Sequence, residues 1–565
     1  MQFFTDTFQE LSDWKRLSEA LHSGEVPLCV AGLSGIHKAQ LALTIAAQDQ
    51  EMHLIITGSE SEAVRLSEDL NTMHGSSIAM HYPAKEILFT NTESKSTEYE
   101  QERLHVLSAI TQNEIRIVTA GIESCLQPTI PPEVFISSQM ILTIGDMLDQ
   151  QELIKRLLHA GYTRCETVEG RGQFAVRGAI MDIFPVQSVQ PVRMEFFGDE
   201  IDTISYFDPE TQRRTESLKK ILISPASELL CKPEELKQAI QKFSEKLRNK
   251  NKSRIQAHLE QDIERLESNL SLMNLDKYYS LIYPDQKITL LDYITGTVML
   301  SEITEIHRHA QGISAQLRED FELLYEDGTL CRNLDGNLVS YPELQTALET
   351  RSCIYLSQFL QGSERIPFRK IISMQAMQNA AWGGEIRQLL EDLQDYLSQN
   401  YRIVLAVGSQ KTLPILAKDL QESGISCAIA DNEEDKCRPG TVLLTARSIS
   451  GGFSYPENRT ALIVQTKMHS ARKRRHKHKA GMEIQTLSDL HPGDLVVHSM
   501  HGVGRFLGIH KLEMEGIAKD YITIQYAGTE KLYVPVTQLD LVSKYIGAQD
   551  ESSVKLNRLS SPQWQ

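Results

Sequence analysis

Residues 32–39, GLSGIHKA, come nearest in this chain to reaction chemistry. They stand between an apolar run and a helical stretch, where a phosphate-binding loop would stand. A working loop of that kind reads G-x-x-x-x-G-K-[ST]. Its second glycine lets backbone N–H groups turn toward the phosphates, its lysine meets the β- and γ-phosphates, and its hydroxyl holds Mg²⁺. Gly32, Gly35 and Lys38 are present, but His37 takes the place of the second glycine and Ala39 that of the hydroxyl residue. A side chain therefore crowds the cradle, and the metal ligand is missing. No other G-K-[ST] and no D-E-x-H box occurs. The expectation is a relic loop with no bound nucleotide and no catalytic residue. The rival is a cryptic nucleotide-binding enzyme working through Lys38.

Three further groupings bear on recognition. In residues 173–208 the polar members Arg177, Asp182, Arg193, Glu195, Asp199 and Glu200 alternate with apolar ones. Most are expected on a solvated face. Arg177 and Phe184 lie close along one strand and turn, and arginine with aromatics makes good interface anchors. Residues 471–479, ARKRRHKHK, form the one strongly basic cluster. Its Arg472, Lys473, Arg474, Arg475, Lys477 and Lys479 are candidate phosphate contacts in an exposed linker. Residues 489–544 carry five basic side chains against seven carboxylates, a net charge of −2. Such a module suits a protein partner better than a phosphate backbone. Its His491, His498, His501 and His510 lack metal-motif spacing, so no metal site is expected.

These residues need a scaffold. Apolar runs at 26–31, 53–57 and 115–119, with helical stripes at 39–48 and 60–71, predict a parallel α/β sheet. From about residue 167 the pattern becomes paired strands turning at Gly178 and Gly198, a small α+β insert. Residues 233–269 read as a highly charged, solvated helical hairpin. A second α/β block spans about 369–466, with strands at 371–374, 402–407, 442–445 and 462–464 and helices at 385–398 and 412–422. Residues 494–535 are short strands and turns at Gly502, Gly504, 515–516 and 527–528, read as a small SH3/Tudor-like β-barrel.

The chain has 565 residues, which suggests about four domains. Lys+Arg 58 against Asp+Glu 75 gives a net charge of −17, with 41% hydrophobic and 24% charged residues. That balance excludes wholesale disorder, a collagen or coiled-coil rod, and a globally basic nucleic-acid coat. No run approaches the ~20 apolar residues of a membrane span, and the start MQFFTDTFQE lacks the marks of a secretory signal. None of the eight cysteines forms a C-x-x-C pair, so neither a disulfide framework nor zinc is signalled. A cytoplasmic, membrane-free, monomeric protein with reduced thiols is the expectation.

Some stretches carry a family resemblance. HGVGRF (501–506), DYITIQY and KLYVPV, within 493–545, closely resemble the RNA-polymerase-interacting domain of the bacterial transcription-repair coupling factors (Mfd), a domain shared with CarD-type regulators. The degenerate phosphate loop, VRGAIMDIFP and MEFFGDEIDTISYFDP resemble that family's module related to UvrB, the excision-repair damage-verification subunit. SGGFSYPENRTALIV, from Ser450, resembles the family's third domain. The resemblance implies a multidomain α/β chain: a degenerate RecA-like, UvrB-like domain over 1–135, a UvrA-binding insert over 136–228, and the rest of the UvrB-like domain with its helical hairpin over 229–345. An α/β third domain (346–468), a basic linker (469–487), a CarD-like domain (488–548) and a connector (549–565) follow.

What the resemblance implies about function is an adaptor for transcription-coupled nucleotide excision repair. By motif match, Arg164, Arg177 and Phe184 would bind UvrA. Arg505, Phe506, Leu507, Ile509 and Leu512 would dock on the RNA polymerase β subunit. The family continues into a translocase motor that uses ATP and Mg²⁺; this chain stops at Gln565 and is expected to have neither the motor nor a cofactor. UvrB grips damaged DNA with an aromatic hairpin, whereas residues 89–99 here, FTNTESKSTEY, are short and polar, so no damage wedge is expected. The rival readings are a DNA-binding module using the 471–479 cluster and a stand-alone CarD-like regulator.

Overall fold

The computed structural model describes residues 3–544 apart from 88, 90–96, 210, 249–250, 269–271, 273, 285, 360–365, 380, 384–385, 431–436, 466–481, 484–493, 499–501, 515–516, 528–530 and 536–541. The chain divides into two compact units, Met1–Met468 and His469–Gln565. Among the described residues no helix is long and apolar enough to cross a membrane.

The first unit is built on a seven-stranded parallel sheet. Its order is Lys370–Ser373, Leu28–Ala31, Cys353–Ser357, Val298–Ser301, His53–Thr57, Ile117–Gly121, Ala79–Tyr82. Its central strands are short, continuous apolar runs buried on both faces, as a sheet covered by helices requires. The helix Gly35–Ala46 is buried almost all round. Most of its residues are apolar, and its Lys38 and Gln40 find polar partners inside the protein, so it fits between two layers. The second layer is another sheet, ordered Met377–Asn379, Gly452–Tyr455, Thr460–Val464, Arg402–Ala406, Val442–Thr445, Cys427–Ile429. One apolar core joins the two sheets through Ile36, Val404, Phe453, Tyr455 and Leu462.

One sequence expectation is corrected here. By pattern residues 371–374 belong to the second α/β block, but Lys370–Ser373 pairs in parallel with Leu28–Ala31 and forms an edge of the first sheet. The first sheet therefore continues past residue 346, and the second begins at Met377–Asn379. A lone β-branched run fits either sheet by pattern; its partner strand decides.

The α+β insert leaves and rejoins this body through an antiparallel stem, Met140–Thr143 against Lys220–Ile223. Beyond the stem lies a six-stranded sheet running from Arg214–Leu218 through Glu200–Phe207, Val192–Phe197, Ile180–Phe184 and Gln173–Arg177 to Thr163–Arg164. Gly178 and Gly198 take positive φ, +62° and +65°, at its two tight turns. The helix Gln150–His159 covers one face, with Leu153, Ile154 and Leu157 packed on Phe174, Met181 and Met194. The charged hairpin is present as Pro233–Lys246 and Lys252–Glu267. It is less solvated than its composition suggests, because Leu236, Ile240, Ile255 and Leu259 close a core with Tyr278 and Leu334.

The second unit is an antiparallel sheet in the order Met482–Glu483, Val542–Lys544, Leu495–His498, Gly502–Met514, Ile517–Gln525, Lys531–Pro535. Among the described residues this unit is a six-stranded antiparallel sheet, and its closure into an SH3/Tudor-like barrel stays an expectation from sequence. Gly504, read as a turn residue, lies within a strand instead.

Candidate partner-docking sites

The phosphate loop is filled from within the chain. Gly32 has φ +90°, and a Cβ there would collide with the Met374 carbonyl oxygen. The helix starts at Gly35, not at residue 39 as the pattern suggested, with Ser34 as its N-cap. His37 closes a capping box: its Nδ1 accepts from the Ser34 backbone N–H at 3.3 Å and lies 2.8 Å from Ser34 Oγ. Its ring is 1% exposed and packs against Phe453 and Tyr455, at centroid distances of 5.8 and 5.6 Å. Burial pushes its pKa down to about 4, so the ring is neutral near pH 7. Lys38 Nζ donates to Ser301 Oγ at 2.9 Å and pairs with Glu302 Oε1 at 2.5 Å. The same Glu302 oxygen accepts from the Gln358 N–H at 2.8 Å. A protein carboxylate thus meets the lysine that would meet a phosphate.

The helix that follows this loop also ties the two sheets together. Tyr455 Oη donates to Gln40 Oε1 at 2.8 Å, and the Gln40 amide donates to the Phe4 carbonyl at 2.7 Å. Nearby, the Ser450 N–H and hydroxyl both donate to Asp69. Arg447 donates to the Thr72 carbonyl.

The insert presents a polar sheet face opposite its helix. Asp182, one of the six polar residues of this stretch of which most are expected to be solvated, is buried there between two guanidiniums. Arg193 reaches it at 2.7 and 2.9 Å and Arg177 at 2.7 Å. The carboxylate holds Arg177 in place while half of that side chain stays exposed. Phe184 shares this face, but at the other end of the hairpin, since Arg177 is opposite Ile180 and Phe184 opposite Gln173. Arg164 is not brought to them: it is exposed on the edge strand at the register of Phe174, a core position.

A buried ionic network that the sequence did not announce fixes the return from the insert. Arg103 donates to Glu228 at 2.7 Å, to the Pro83 and Pro128 carbonyls and to Gln127. Lys85 pairs with Glu228 at 2.7 Å and Asp276 at 2.8 Å. The Glu228 N–H donates to Glu100 at 2.9 Å. Burial alone would raise the Glu228 pKa, but Arg103 and Lys85 hold it below the ordinary carboxylate value. These residues lie up to 191 positions apart, and no local signal connects them.

In the second unit, Arg505, Phe506, Leu507, Ile509 and Leu512 all fall on the long strand Gly502–Met514. Phe506 is buried and Leu507 partly exposed; the side chains of Ile509 and Leu512 lie outside the described residues. Of this strand the neighbour Leu495–His498 covers Gly502 to Arg505, and one more bond runs from the Phe506 N–H to the Asp494 carbonyl at 2.8 Å. Leu507 sits at a register shift, and from Gly508 to Met514 the ladder is to Ile517–Gln525 alone, so the other edge is open among the described residues. The candidate DNA contacts at 472–479, and all of the polar stretch 89–99 except Phe89 and residues 97–99, lie outside the described residues. Among the described residues no group of three or more His, Cys, Asp or Glu could hold a metal ion.

Two stretches match known domain families. Residues 140–229 match the UvrB interaction domain, and residues 490–546 the CarD-like/TRCF RID domain. Full-length comparison points the same way. The chain resembles the transcription-repair-coupling factors over essentially its whole length. It is 30% identical over 570 residues to the factor of Bacillus subtilis (strain 168), covering 98% of this chain and 48% of that protein. The factor of Staphylococcus aureus (strain MRSA252) is 27% identical over 578 residues, covering 100% of this chain and 49% of that protein. The chain spans about half the length of the curated transcription-repair-coupling factors it matches.

Proposed function

We propose that this chain is a recruitment adaptor in transcription-coupled nucleotide excision repair. It binds UvrA through the insert and the RNA polymerase β subunit through the second unit, and does not itself turn over ATP. The observation that carries the reading is the pair of recognition domains on one chain, a UvrB interaction domain and a CarD-like/TRCF RID domain. The occupied phosphate loop supports the last part, because a ligand phosphate would have to displace Glu302 from Lys38. The open edge from Gly508 to Met514 supports polymerase docking by strand addition, in which main-chain bonds give affinity and a few side chains give specificity.

The test is capture of purified polymerase by the chain and by its Leu512→Arg variant, each with a melting curve. Docking on this edge predicts lost capture with an unchanged melt and only mild salt dependence. Unchanged capture rejects the site, and a collapsed melting transition makes Leu512 a core residue.

A further inference from the structure

The open face of the insert breaks its own pattern at one end. Along Val192–Phe197, residues 192, 194 and 196 are buried against the helix, and residues 193, 195 and 197 face away from it. Arg193 and Glu195 obey the rule that an outward strand position is polar. Phe197 does not: it is 81% exposed, beside Phe196 at 7%. The register extends this anomaly across strands. Phe197 is opposite Glu200, and Glu200 is opposite Met147, which is 73% exposed. Two large apolar side chains therefore flank one carboxylate on the same face. The next row on that face, two residues along, contains Arg177, Ile180, Glu195 and Thr203. The apolar row is thus continuous with the arginine row already assigned to partner binding.

Large exposed apolar groups clustered beside a charged surface mark interaction sites in soluble proteins. In such interfaces aromatic and arginine side chains carry most of the binding energy. Both rows fall within the residues that match the UvrB interaction domain. We infer that Phe197, seconded by Met147, is the apolar anchor of the insert's docking face, and that it enters a pocket on UvrA beside the site that takes Arg177. This rests on the UvrA reading above and names a residue that the motif match did not supply. The partner surface must then offer an apolar pocket adjoining an acidic group for Arg177.

The experiment measures affinity for purified UvrA of the parent chain and of Phe197→Ser, Met147→Ser, Phe197→Leu and Arg177→Ala, each with a melting curve and a sedimentation profile. Phe197→Ser is expected to weaken binding at least ~10-fold with an unchanged melt. Met147→Ser should weaken it less, and Phe197→Leu should retain most of it. If Arg177→Ala weakens binding and Phe197→Ser does not, the anchor is refuted while the UvrA reading stands. If the parent does not bind UvrA, both fall. If Phe197→Ser instead abolishes self-association of the chain and leaves UvrA binding intact, the face joins two copies and the inference is overturned.

Discussion

The neutral, buried His37 makes the stability of the first unit depend on pH in a calculable way. Its folded-state pKa is about 4 because burial disfavours the imidazolium; in the unfolded chain an imidazole titrates near ~6.5. Between those values the unfolded state binds a proton that the folded state refuses. Stability is therefore complete above the upper value and declines as pH falls through the interval. At 1.36 kcal/mol per tenfold change, the loss is about 2 kcal/mol at pH 5 and reaches a ceiling of about 3 kcal/mol below the folded value. The comparison chain is His37→Gln. Its amide accepts from the Ser34 N–H as a capping-box residue does, and it does not titrate. Chemical denaturation near pH 7.5 and pH 5, followed by fluorescence of the buried Trp14 in the same core, reads both chains. The parent should lose about 2 kcal/mol more than His37→Gln between the two conditions. His53 and His105, also held low by burial, are common to both chains and cancel. Equal losses would refute a neutral buried His37, and a greater loss in the variant would mean that the ring is charged and paired in the native state.

The other expectations concern the ionic network and the phosphate loop. Arg103→Ala leaves Glu228 buried with Lys85 as its remaining cation and should cost about 3–5 kcal/mol. Arg156→Ala, which breaks an exposed pair with Glu152, should change stability by less than about 1 kcal/mol; similar denaturation midpoints for the two variants would contradict this contrast. Calorimetry with ATP and Mg²⁺ should detect negligible binding to the parent chain, and ATP turnover abolished by Lys38→Ala would overturn the closed-loop account.

Much of this protein was legible locally. A phosphate loop depends on neighbours in sequence, so replacing its second glycine with His37 and its hydroxyl residue with Ala39 is visible without a structure. Period-two alternation likewise marked the strands of the insert, and charge marked the helical hairpin. Tertiary structure decided what fills each vacancy and which face is which. Glu302 lies 264 positions from the Lys38 it pairs with, and Tyr455 lies 415 positions from Gln40. Alternation along 192–197 says that Phe196 and Phe197 point opposite ways; only the position of the helix Gln150–His159 says that Phe197 is the exposed one. Lys370–Ser373 reads as a strand by composition, yet its sheet was fixed by pairing with Leu28–Ala31. Local pattern sets backbone state and side-chain alternation, because both depend on nearby residues. The partners of a buried charge, an edge strand or an outward aromatic depend on strand order, which closes contacts over hundreds of residues and leaves no spacing in the sequence to read.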